Sequence, residues 1–106
     1  MKYKVYIHPT INKEVIEKLS EHDQQRINNL IIQFVENPYV GDSLQIKSIR
    51  EKRFNEKRIY FIIFEDLKAI LIVGLSNKKV QQKTIDTIRH DINDYRDYVK
   101  RVIDKD

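Results

Sequence analysis

The chain has no cysteine, and only two glycines and two prolines in 106 residues. Without cysteine there is no disulfide scaffold, no thiolate zinc site and no cysteine nucleophile. With Gly41 and Gly74 as its glycines, it has no glycine-rich phosphate loop. Long apolar stretches are missing too. Runs such as Ala69 to Val73 are far too short to cross a bilayer, and the start, MKYKVYIHP, has no secretory apolar segment. His8, His22 and His90 lack metal-ligand spacing and read as surface or edge residues, and no serine sits on a nucleophile elbow. These absences lead to the expectation of a soluble cytoplasmic protein with no metal, no small-molecule cofactor and no membrane partner.

The length and the 41% hydrophobic content predict one domain spanning residues 1–106. Charged residues make up 34% of the chain, and the net charge is +4. The distribution matters more than the total. Lys47, Arg50, Lys52, Arg53, Lys57 and Arg58 face only Glu51 and Glu56 within the same stretch, so this one segment accounts for the whole net charge. Lys78, Lys79 and Lys83 follow with no acid between them, whereas the last third is rich in aspartate. Localised positive charge points to an anionic partner, nucleic acid first.

Hydrophobic periodicity orders the elements. Tyr3 to Ile7 alternates as a strand and stops before Pro9. Ile11, Val15, Ile16 and Leu19 have helical spacing; Ser20 with Asp23 has the form of a capping box before a second helix marked by Ile27, Leu30, Ile31, Phe34 and Val35. Residues 37 to 46 read as a surface loop. From Ser48 the period becomes two, predicting strands over 48–54, 58–65 and 68–76 with tight turns at Asn55-Glu56 and Asp66-Leu67. The second and third of these are apolar on both faces and so belong in the centre of a covered sheet. Ile85, Ile88, Ile92, Tyr95, Val99 and Val102 then mark one long C-terminal helix. The predicted fold is α+β, in the order β-α-α-β-β-β-α, with a small antiparallel-rich sheet.

Strand alternation puts Arg50 and Lys52 on one face and Arg53 on the other, with Arg58 and Tyr60 together at the start of the next strand. Lysines on an edge strand suppress aggregation, which accounts for Lys47 and Lys57. Arginine at positions 50, 53 and 58 is better matched to phosphate oxygens. The chemistry of the residues alone leaves both readings open.

The order of elements and the basic set resemble the RelE/ParE superfamily of toxins from toxin-antitoxin pairs. R-I-Y-F at 58–61, ILIVGLS at 70–76 and NKKVQQKT at 77–84 are most similar to its HigB-like branch. The resemblance implies a ribosome-dependent endoribonuclease acting on messenger RNA and neutralised by a cognate antitoxin. By position it implies Arg50, Arg58, Lys78 and Lys79 as catalytic residues, with Arg53 competing with Arg50. Lys47, Lys52, Arg53, Lys57, Tyr60, Gln82 and Lys83 would then bind the RNA. The chain lacks the basic-plus-tyrosine ending of the RelE branch, which leaves the acid and base unassigned. A ParE-like inhibitor of gyrase that cleaves nothing, or an inactive toxin-derived binding module, is the alternative.

Overall fold

Pro9 ends the first strand and opens the first helix, because its fixed φ suits a helical first turn and its missing N–H is no loss there. The computed structural model, which describes residues 2–44, 46–77 and 81–105, accordingly begins with β1 (Lys4–Ile7) and α1 (Pro9–Lys18). α2 (Glu21–Glu36) follows, and the Ser20 hydroxyl accepts the Asp23 N–H at 3.1 Å, as the capping spacing predicts.

The predicted loop over 37–46 instead contains a strand, β2 (Asp42–Leu44), paired antiparallel with β3 (Ile46–Phe54). Three residues are too few for alternation to register. Gly41 makes the pairing possible: its φ is +74°, and a Cβ there would lie 2.2 Å from the Glu51 carbonyl oxygen. β4 (Lys57–Phe64) and β5 (Ala69–Asn77) complete the sheet, in the order β1-β5-β4-β3-β2. β1 is parallel to β5 and the other pairings are antiparallel. The turn after β4 is a single 3-10 turn, Glu65–Leu67, closed by Lys68 in the left-handed region.

Both faces of the sheet are covered, which is why β4 is apolar from Ile59 to Phe64 and β5 from Ala69 to Val73. Ile11 of α1 with Ile27 and Phe34 of α2 bury Ile59, Phe61, Ile63, Ile70 and Ile72, and Phe34 stacks on Phe61 with ring centroids 4.2 Å apart. On the opposite face α3 (Gln81–His90) and α4 (Ile92–Lys105) place Ile85, Ile88 and Val99 over Ile49, Tyr60, Ile62, Phe64 and Leu71. The predicted single C-terminal helix is thus two. They break at Asp91, a residue that competes for backbone bonds in helix interiors. Hydrogen bonds from Asp91 N to Thr87 O and from Tyr95 N to Asp91 O carry the apolar stripe across the break. His8, half-buried at the start of α1, lies 5.5 Å from the Tyr95 ring and 5.1 Å from the Tyr98 ring, and burial lowers its pKa. Among the described residues no helix is long and apolar enough to cross a membrane.

Candidate functional site

Register decides which of the cations meet. Arg53 lies directly across from Arg58, Glu51 across from Tyr60, and Arg50 across from Phe61. Arg53, Glu51, Arg58 and Tyr60 therefore share the α3/α4 face, and Arg50 and Lys52 belong to the α1/α2 face. On the first of these faces Arg58 donates from Nη1 to Glu51 Oε1 at 2.7 Å, and both residues are buried. Next to this pair, the fully buried Tyr60 hydroxyl is 2.8 Å from Ser76 Oγ. Burial, the largest influence on it, raises the Tyr60 pKa, so the phenol stays protonated and neutral.

Ser76 reaches this face because the β4–β5 register shifts between Tyr60 and Phe61: Tyr60 pairs with Gly74, and Phe61 with Ile72. Val73 is the extra residue. Strict alternation predicts Leu75 on the face of Leu71 and Val73; the bulge moves Leu75 into the α1/α2 core and brings Ser76 round to Arg58 and Tyr60. Gly74 allows α3 to close over this point, since a Cβ there would meet Tyr60 Cδ2 at 3.1 Å and Thr84 Cγ2 at 3.3 Å.

The remaining predicted residues spread out. Arg50 donates to the carbonyls of Val40 and Gly41, at 3.3 and 3.0 Å, with its guanidinium 5.7 Å from the Tyr39 ring centroid, so it braces the turn into β2. Lys57 pairs with Asp23 of α2 at 3.2 Å, and Asn55 donates to the same carboxylate at 3.0 Å. Lys47 is exposed on β3. Lys52 and Arg53 border a cavity of about 220 Å³ against α2. Gln82 is exposed and donates to Asp86 at 2.9 Å. Lys83 borders a separate hollow with Ile11, Val73, Gly74, Thr84 and Tyr95. Lys78 and Lys79 lie outside the described residues; Asn77, which precedes them, pairs in register with Lys57.

The structure thus brings Arg58, Tyr60 and Arg53 together and sets Arg50 apart from them. Reading the sequence for cations missed Glu51, Ser76 and Thr84. Glu51 carried a usable signal, as an acid alternating in phase with Arg53 on a strand otherwise loaded with base. Chemically, the site offers a guanidinium fixed by Glu51, backed by a buried phenol and hydroxyl bonded to each other. A guanidinium held in this way can keep an anionic oxygen in place.

No protein-family model and no curated protein sequence matches the chain. Solved structures do. A double arginine-to-alanine mutant of E. coli toxin RelE in the free state superposes with a TM-score of 0.67 at 13% identity, covering 83% of this chain and 99% of the other. The fold is that of the RelE toxins. The toxin-antitoxin complex RelBE2 of Mycobacterium tuberculosis matches at TM-score 0.63 and 16% identity, over 74% of this chain and 100% of that one. The archaeal RelE-RelB complex from Pyrococcus horikoshii OT3 matches at 0.62 and 17%, over 74% and 97%. The RelE fold accounts for nearly all of each of these chains, and the present chain extends beyond it.

Proposed function

We propose that the protein is the toxin of a type II toxin-antitoxin pair, acting in the cytoplasm as a metal-independent endonuclease on messenger RNA held by the ribosome. One observation carries the reading: within a RelE fold, Arg58 is fixed beside Tyr60 and Ser76 at the end of the sheet from which the Lys78-Lys79 segment departs. RNA supplies its own nucleophile, the 2′-hydroxyl. The protein has to remove that proton, stabilise a phosphorane and protonate the leaving 5′-oxygen. Arg58 is the stabilising cation, the buried Tyr60–Ser76 contact supports the sheet end beside it, Arg53 and Lys83 are the grip on the backbone, and Lys78 or Lys79 is the base or a further donor. Removing one donor of this kind costs about 2.7–4 kcal/mol of transition-state stabilisation. The antitoxin is a separate protein that covers this face. The strings at 58–61 and 77–84 favour the HigB-like branch.

A second reading, the ParE-like gyrase blocker or inactive binding module, also has an observation in its favour. Glu51 neutralises Arg58, and backbone carbonyls occupy Arg50, so neither is a bare cation. Expression without antitoxin, followed by mapping of 5′ ends on translated messages, separates the two. The endonuclease reading expects new ends at ribosome-engaged positions with the parent and none with the Lys78→Ala, Lys79→Ala protein. Growth arrest from both proteins with intact messages, or reduced DNA supercoiling in extracts, contradicts it.

A further inference from the structure

We propose that His8 is an acid-sensitive latch: neutral, it holds α4 against the sheet, and protonated, it frees the middle of α4 from the face that carries Arg58 and Tyr60. Four elements meet at this residue. Its backbone N–H donates to the Ile72 carbonyl at 3.0 Å, where β1 leaves β5, and its own carbonyl accepts the opening bonds of α1, from Ile11 and Asn12. Its half-buried ring is T-shaped to Tyr95 of α4, with centroids 5.5 Å apart, and tilted against Tyr98 at 5.1 Å. Tyr95 and Tyr98, with Tyr6 of β1, pack against the cluster of Tyr60, Ile62, Leu71 and Val99. The ring therefore sits where α4 seals that cluster.

The same ring caps α1. Its Nδ1 accepts the Thr10 N–H at 3.4 Å, which requires that nitrogen to carry no proton. Protonation turns the acceptor into a donor that faces a donor. It also sets a cation at a helix N-terminus, the end that favours negative charge. Little around the ring compensates. The titratable groups facing it are the Tyr95 and Tyr98 phenols, and β5 presents the Ile72 carbonyl. Burial first, then Asp91 and Asp94, raise the Tyr95 pKa and keep that phenol neutral. Lys4 of β1 and Lys13 of α1 are exposed. Because burial lowers the His8 pKa, an opened state takes up the proton more readily than the closed one. The contribution of His8 is thus complete above the ordinary histidine value of about 6.5 and is lost as pH falls below it. His90, exposed before the α3–α4 break, works in the opposite sense: Asp91, 2.8 Å away, raises its pKa, so acid strengthens that pair. Acid loosens α4 at its middle while its start stays tethered. The latch follows from the packing alone and holds whether or not the sheet end cuts RNA.

The test is amide hydrogen exchange by NMR on the full chain at about pH 7.5 and about pH 5.5, either side of the ordinary histidine value, expressed as protection factors so that the intrinsic pH effect is removed. In the parent, protection over Tyr95 to Val102 and the first turn of α1 falls about fivefold at the lower pH, the size of one lost N-cap, while Thr87 to Asp91 keep theirs. His8→Asn retains a cap acceptor that does not titrate, and its protection is the same at both pH values. A control with His22→Gln and His90→Gln keeps the fall of the parent. Should His8→Asn fail to fold, the parent still decides: the His8 ring resonance titrates with the midpoint of the α4 protection loss, below the midpoint of His90. Equal α4 protection in the parent at both pH values overturns the latch. So does a fall of the same ratio in His8→Asn, loss of the dependence in the control, or a His8 midpoint at or above that of His90.

Discussion

At the start of β4, Arg58 and Glu51 form an ion pair whose side chains are 9% and 5% exposed, whereas at its far end Glu65 collects its partners in the open. Glu65 takes Lys68, the Tyr39 hydroxyl at 2.6 Å and the Tyr3 hydroxyl at 2.9 Å, and these hold its pKa down to about 2, Lys68 contributing most. The bond to Glu65 in turn pushes Tyr39 up to about 12. Arg96 and Asp66 make a second exposed pair nearby. The open cluster ties β1, the loop at Tyr39 and the β4–β5 turn together, and water would solvate its members if it parted. The buried pair has no such fallback. A charge kept out of water is weak evidence for stability, because apolar residues of similar size often do as well. We therefore read Arg58 and Glu51 as retained for position, at the end of the sheet that carries the candidate chemistry.

The sharpest way to break this comparison is to remove one partner at each end. Glu51→Leu strands a buried guanidinium and should lower stability by about 3–5 kcal/mol in urea unfolding. Adding Arg58→Met should restore much of that loss. At the open end, Glu65→Gln should shift the urea midpoint least of all the substitutions considered. If the two single variants unfold alike, the contrast between the ends is mistaken.

The next effects sharpen the buried end. Gly74→Ala forces a Cβ against Tyr60 and Thr84, and overpacking of this kind should cost about 1–3 kcal/mol, with hydrogen exchange quickening at the start of α3. Tyr60→Phe removes one hydroxyl and leaves Ser76 without that partner in a buried site, a loss of about 1 kcal/mol. The α2 cap and the strand alternation were readable in the sequence, since each is set by neighbours a few residues apart. So was the sharing of one face by Arg58 and Tyr60. The Arg58–Glu51 pair and the Tyr60–Ser76 contact were not, because they depend on cross-strand register and on one extra residue at Val73. β2 escaped notice because it rests on the backbone freedom of Gly41 and has no apolar pattern of its own.

The smallest effect is a pH dependence at the open end. Glu65 has a depressed pKa when folded, so its stabilising contribution is complete above the ordinary carboxylate value and is lost as pH falls toward about 2. The difference in Tm between the parent and Glu65→Gln should therefore shrink on acidification over that window. A gap that stays constant with pH would remove Glu65 as its source.

Cleavage of message on programmed ribosomes by purified protein tests the central claim, that chemistry resides at the buried end. Arg58→Lys keeps a cation beside Glu51 but loses the planar fork, and Glu65→Gln alters only the open cluster. Primer extension should find new 5′ ends with the parent and with Glu65→Gln, and few or none with folded Arg58→Lys. Equal cleavage by both variants, or uncut message with the parent, would contradict the account.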